Sequence, residues 1–244
     1  MRVRFRYTKL GKVRFTSHRD VARLFERALR RAQLPVANTE GFSPRPKMHF
    51  GLALPTGGES LGEYLDIDFR EPDHEAGGLD PSEVDGLPAT LTPLLPIGLD
   101  IDAASPVDRR APSLQEAVVS CTWRIEVEPR PVAELRAATE ALLAAESLPI
   151  SRERKGKVVH DDIRPNIAEL GVGDDHVLTA ELATQPRGVR PAELISALSG
   201  VAGGDPFEAR GVCRTHQWIM LDGARREPLP TSATRAPHAE ARAS

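Results

Sequence analysis

"RVRFRYTKLGKVRFTSHRDVARLFERALRRAQLP" (residues 2–35) sets the architecture. Its opening residues alternate strictly, with Val3, Phe5 and Tyr7 on one side and Arg2, Arg4 and Arg6 on the other. A period of two predicts a half-buried strand with a cationic outer face. Gly11 reads as a tight connection, after which Val13 and Phe15 resume the alternation, so a hairpin or bulged strand is expected. The period then changes. Ser17 is a candidate N-cap with Asp20 three residues on, and Val21, Leu24, Phe25, Ala28, Leu29 and Ala32 recur at helical spacing. Arg19, Arg23, Arg27, Arg30 and Arg31 fill the other side, and Pro35 follows the end.

Outward from this unit, "GFSPRPKMHF" (41–50) reads as a stiffened basic loop leading into a strand. "GEYLDIDF" (62–69) alternates Tyr64, Asp66 and Asp68 against Leu65, Ile67 and Phe69, a second half-buried strand. An acidic, turn-rich stretch with one short helix after Asp80 leads to a further strand in "PIGLDIDAASPV" (96–107). The order β(β)–α–β–β–(α)–β is the ferredoxin-like pattern. The second half repeats the order. "VSCTWRIEVEP" (119–129) reads as a strand, and residues 131–147 as a helix begun by Pro131 with Val132, Leu135, Ala138 or Thr139, and Leu142 inside. Two strands follow, then a helix ended by Gly200, then a last strand in "CRTHQWIML" (213–221). The expected fold class is α+β: two tandem ferredoxin-like sandwiches over 1–108 and 117–222, a duplication in element order without a residue-level repeat. Residues 223–244 show no periodicity and read as a disordered tail.

The formal net charge of −3 conceals a strong polarity. Residues 1–50 hold thirteen Lys and Arg against Asp20, Glu26 and Glu40, a net +10, whereas residues 51–110 hold three Arg against thirteen acids, a net −10. Where the cations sit matters more than the preference for Arg over Lys, which a GC-rich genome also produces. A +10 segment suits a phosphate backbone. The alternative sink for that charge is the acidic segment that follows it, within the chain or across a dimer. Only Cys121 and Cys213 occur, 92 positions apart, so no disulfide framework or Cys-x-x-Cys metal spacing is expected and a reducing cytoplasm fits. No run of about 18 apolar residues predicts a membrane span, and "MRVRFRYTKL" has no signal-peptide h-region.

Arg2, Arg4, Arg6, Arg23, Arg27, Arg30, Arg31, Arg45 and Lys47 are therefore the candidate RNA-phosphate contacts, with Phe42 a candidate for stacking on a base. An enzyme reading takes His18 and Asp20 at the strand-to-helix junction, with Glu59 and Glu63, as acid and base groups. Residues so close in sequence seldom form a relay, and helix capping by Ser17 and Asp20 competes with it. No phosphate-binding loop, dinucleotide fingerprint, zinc-protease helix or nucleophile elbow is present, and no metal site is expected.

The motifs of residues 1–70 resemble a family, the radical-SAM-linked or radical-SAM-associated proteins. The matching positions are Ser17, His18 and Asp20; Gly41, Phe42, Pro44, Pro46 and Lys47; Leu54, Pro55, Gly57 and Ser60; and Gly62, Glu63, Tyr64 and Asp66. The resemblance implies a chain that is either fused to a radical SAM protein or free-standing, the free form in some high-GC bacteria being encoded near a ribonuclease E/G-type enzyme. The cluster-binding Cys-x-x-x-Cys-x-x-Cys is absent, so an iron–sulfur cluster and S-adenosylmethionine would belong to a partner. Three readings follow: a non-catalytic RNA-binding accessory for an enzyme that modifies or processes tRNA or rRNA, an RNA- or nucleotide-modifying enzyme, and a protein-docking module for a radical SAM enzyme or ribonuclease.

Overall fold

The computed structural model describes residues 1–128, 131–154, 156–173 and 175–229. It is an α+β protein with mostly antiparallel strand pairing and, among the described residues, five α-helices. The described chain divides into two compact units, the first holding Met1–Thr56, Gly62–Ala117 and residues 226–229, the second Gly57–Leu61 and Val118–Arg225.

The first unit comprises β1 (Arg2–Lys9), α1 (His18–Arg31), β2 (Met48–Phe50), most of β3 (Glu59–Asp68), α2 (Leu87–Leu91), β4 (Ile101–Val107) and α3 (Leu114–Ala117). Its strands run in the order β4-β1-β3-β2. β1 and β4 are antiparallel, with Phe5 opposite Ala104, and β2 is antiparallel to β3, with His49 opposite Asp66. The helix forms as its sequence dictates. Ser17 sits in extended backbone at the N-cap, its Oγ accepts from the Asp20 amide at 3.2 Å, and the same hydroxyl donates to Asp20 Oδ2 at 2.7 Å. Val21, Phe25, Ala28 and Leu29 are buried against the sheet, with Leu24 and Ala32 at the margin. Phe25 lies edge-on to Tyr7 at 5.0 Å and to Phe50 at 6.2 Å. Burying one such ring contributes about 1.5–3 kcal/mol.

Two local expectations change. Val13 and Phe15 do not resume a strand, because Gly11–Phe15 is a 3-10 turn that leaves Phe15 62 % exposed. Gly11 reverses the chain at φ +66°, and the buried Lys9 ammonium closes the turn by donating to the carbonyls of Arg14 and Thr16. Nor is β1 half-exposed. Both faces are buried, and so are both faces of most of β3, because Arg2 and Arg4 pair with Asp68 and Asp66 of β3 and Arg6 with Asp102 of β4 instead of facing water.

The second unit comprises β5 (Val118–Val127), α4 (Val132–Ala144), β6 (Pro149–Arg154), β7 (Lys157–Asp162), β8 (Ile167–Val172), β9 (Val177–Ala183), α5 (Pro191–Ala202), β10 (Ala209–Leu221) and the first residues of β11 (Ala224–Arg226). The order is β10-β5-β9-β8, each neighbouring pair antiparallel, and β6 and β7 form a separate hairpin. Glu59 and Ser60, counted with this unit, pair in parallel with Cys213 and Arg214. α4 buries Leu135, Ala138, Thr139 and Leu142. α5 passes through Gly200, the expected stop, and ends at Gly203, whose φ of +67° supplies the left-handed cap.

The tail reading also gives way at its start. After the turn at Asp222 and Gly223, β11 pairs with β10, and the Tyr64 hydroxyl donates to Glu227 Oε1 at 3.2 Å. Residues 230–244 lie outside the described residues.

Candidate nucleic-acid interface

The arginines of β1 and those of α1 share a sequence neighbourhood but not an environment. Arg2 donates to both carboxylate oxygens of Asp68, at 2.7 and 3.2 Å. Arg4 does the same to Asp66 at 2.8 and 2.9 Å, both side chains being almost wholly buried. Arg6 pairs with Asp102 and lies 3.6 Å from Glu227. The residue sums of the first two pairs are equal, the register of antiparallel neighbours on one sheet face. Burial alone would raise the Asp68 carboxyl, but Arg2 and His49 outweigh it and hold it below the usual carboxylate range. At Asp102 burial prevails over Arg6, and its carboxyl is pushed up. The acidic segment is thus the sink for these cations within the chain.

Removing β1 from the electrostatic surface leaves residues 10–50, with nine Lys and Arg against three acids, a net +6. Lys12, Arg19, Arg23, Arg27, Arg30, Arg31 and Arg45 are exposed, and Arg14 and Lys47 are half-buried. On α1 the sequence period itself segregates them: Arg19, Arg23 and Arg27 are four apart and share a face.

"GFSPRPK" turns out to be the tip and returning arm of a hairpin. Ala37 donates to the Asp68 carbonyl at 2.8 Å, anchoring the outgoing arm on β3. Lys47 donates to the Ala37 carbonyl at 2.9 Å, Thr39 to the Arg45 carbonyl at 2.8 Å, and the Arg45 amide to Thr39 Oγ1 at 3.1 Å. Donors are therefore used at 45 and 47, and the prolines occupy 44 and 46, where a ladder of period two needs none. Gly41, at φ +121°, turns the tip. Phe42 next to it is fully exposed, at 110 % of its reference area.

The enzyme candidates are not arranged as a relay. Asp20 is held by the Ser17 hydroxyl and by Arg23 Nη1 at 3.0 Å, which keep its carboxyl below the usual range and make it a poor proton acceptor. His18 lies edge-on to Phe50 at 4.9 Å. Glu63 is buried on β3, and Glu59 stands in the ladder opposite Cys213. Among the described residues, no three His, Cys, Asp or Glu cluster so as to hold a metal ion. A pocket of about 330 Å³ opens beside the hairpin base, lined in part by Asn38, Arg70, Glu71, His74 and Arg109. Its arginines are already engaged: Arg70 donates to the Gly77 carbonyl at 2.8 Å, and Arg109 lies 3.5 Å from Glu71. No helix of the described chain is long and apolar enough to cross a membrane.

Sequence reasoning counted Lys12 and Arg14 in the cationic segment but placed Phe15 in a strand, whereas the structure puts all three on the 3-10 turn with Lys12 and Phe15 exposed. The signal was Gly11, a glycine placed to turn the chain instead of connecting two strands. The resemblance positions divide between two tasks. Ser17 and Asp20 cap α1, Asp66 pairs with Arg4, Tyr64 bonds Glu227, and Gly62 leaves room for the Arg6 guanidinium, which a Cβ would meet at 3.1 Å. Gly41, Phe42, Pro44, Pro46 and Lys47 build the hairpin.

No curated protein matches this chain. The family described as "Uncharacterized protein conserved in bacteria (DUF2344)" matches residues 2–191, which include all of the hairpin, the arginine face and the buried ion pairs, and the chain belongs to that family.

Proposed function

We propose that this protein is a non-catalytic RNA-binding accessory that presents tRNA or rRNA to a modifying or processing enzyme in the cytoplasm. The observation that carries the reading is the net +6 of residues 10–50, exposed on α1, the turn before it and the hairpin after it, once β1 has been neutralised internally. Such a surface attracts a phosphate backbone without reading sequence. Arg23, Arg27, Arg30, Arg31, Arg45 and Lys47 are the contacts. Arg2, Arg4 and Arg6 support the scaffold. The strand orders β4-β1-β3-β2 and β10-β5-β9-β8 favour reading both units as ferredoxin-like sandwiches, a frame that holds one helix face toward the sheet and leaves the other outward.

The partner rests on the resemblance to radical-SAM-linked proteins: a radical SAM enzyme, carrying the iron–sulfur cluster and S-adenosylmethionine, or a ribonuclease E/G-type enzyme. The docking-module reading loses ground because Asp66, Asp68 and Asp102 are committed inside the chain. The enzyme reading loses ground because Asp20 is held by Ser17 and Arg23.

The test is anisotropy of labelled tRNA and rRNA fragments with the full chain between about 50 and about 200 mM salt, where phosphate-dominated binding weakens by orders of magnitude. Arg27→Glu/Arg30→Glu is expected to weaken every RNA alike and to flatten the salt dependence. Absence of binding to any RNA at the lowest salt refutes the proposal.

A further inference from the structure

We infer that the surface is built to take unpaired RNA, with Phe42 and Phe15 as stacking platforms, and this inference rests on the RNA-binding reading above. Of the seven phenylalanines, Phe5, Phe25, Phe69 and Phe207 are buried and Phe50 is half-buried against α1. Phe15 and Phe42 alone are exposed, at 62 % and 110 %, and both fall within the cationic stretch 10–50. Elsewhere in the described chain the exposed large apolar side chains are aliphatic: Leu61, Ile97, Val158, Met220 and Leu221. Each exposed ring thus shares its local element with cations, Phe15 the turn that carries Lys12 and Arg14 and Phe42 the hairpin that carries Arg45 and Lys47, the pairing that single-strand binders use, in which rings take base faces and cations track the backbone.

The hairpin makes Phe42 a pre-set platform. Its base is pinned on β3 and its arms by the 37–47 and 39–45 bonds, so the tip pays little of the ordering cost of a free loop. Pro44 and Pro46 restrict the returning arm further. Phe15 is fixed differently: the Arg14 guanidinium lies 4.8 Å from its ring centroid, so one side chain offers a π face and the next a charge at the same place. Neither ring has a use on a closed A-form helix, whose bases are stacked on one another and whose major groove is deep and narrow. Unpaired bases offer faces for the exposed Phe42 ring and for the exposed part of the Phe15 ring that Arg14 does not cover.

The decisive experiment compares a short labelled mixed-sequence RNA with the same strand annealed to its complement, titrated with the full chain at fixed salt. The single strand is expected to bind more tightly. Phe42→Ala is expected to weaken it about tenfold, within the range for one base stack, while leaving duplex binding and the salt slope unchanged. Phe42→Trp restores the affinity, and its added fluorescence is quenched by the single strand only. Because Phe42 touches no core, these variants fold. If both RNA forms bind and Phe42→Ala changes neither by more than twofold, or if the duplex is preferred, the stacking inference fails and the RNA-binding reading stands. If neither form binds, both fail.

Discussion

Asp66→Ala removes one half of the most enclosed ion pair in the first unit. Arg4 donates two bonds to Asp66, at 2.8 and 2.9 Å, and the two side chains are 7 % and 4 % exposed. Truncating the carboxylate leaves a guanidinium that stays charged and has lost its acceptor out of water, at a cost of about 3–5 kcal/mol. That is a large part of the roughly 5–15 kcal/mol that stabilises a domain. Replacing both partners, Arg4→Met with Asp66→Leu, removes the desolvation penalty with the attraction and should leave stability within about 1 kcal/mol of the parent or raise it. The chain provides a convenient assay. Both tyrosines, Tyr7 and Tyr64, belong to the first unit, and both tryptophans, Trp123 and Trp218, to the second. Urea unfolding followed by tyrosine near-UV dichroism should show the Asp66→Ala transition move to much lower denaturant, and the double variant return it. The double variant should also bind RNA with the parent's salt dependence, since Arg4 has no part in the exposed surface. An Asp66→Ala cost below about 1 kcal/mol would mean that the guanidinium rehydrates freely, and would refute the claim that β1 is sealed from solvent.

Two further outcomes follow from single positions. Asp68 titrates below its ordinary value near 3.8 in the fold, because Arg2 and His49 prevail over burial. Its contribution to stability is therefore present above that value and lost as pH falls through the lower folded one. Urea midpoints measured from about pH 5 downward should fall, and Asp68→Asn should flatten that fall; an unchanged slope contradicts the pairing. Gly98 has φ +96°, and a Cβ there would stand 2.1 Å from the Leu10 carbonyl oxygen. Gly98→Ala should therefore cost well over ~1 kcal/mol, read as a lowered thermal midpoint, whereas Gly86→Ala, where a Cβ meets nothing, should be tolerated.

The helix was legible because one element carries all of its own evidence. Ser17 and Asp20 mark its start, Val21, Phe25, Ala28 and Leu29 its buried stripe, and each lies within a few residues of the others. Strand alternation in β1 and β3 was equally plain, but its meaning was not. Alternation says which side chains share a face and nothing about what lies opposite. Arg4 and Asp66 are 62 positions apart, and only strand pairing puts one beside the other. Read singly, an arginine face looks solvated; read as a pair of strands, it is a set of buried ion pairs.

The same division explains the candidate site. Composition located the positive charge in residues 1–50, and the period of α1 separated its arginines from its core. Tertiary structure decided which cations remain on the surface, withdrawing Arg2, Arg4, Arg6 and Lys9 and leaving those of α1 and the hairpin. It also exposed Phe15, which alternation had placed in a strand, because a single glycine and a lysine from β1 turn that segment. Sequence alone determined the N-cap and buried stripe of α1 and the alternation of β1 and β3, whose causes are local. The structure decided which faces meet water, because burial depends on partners supplied from far along the chain.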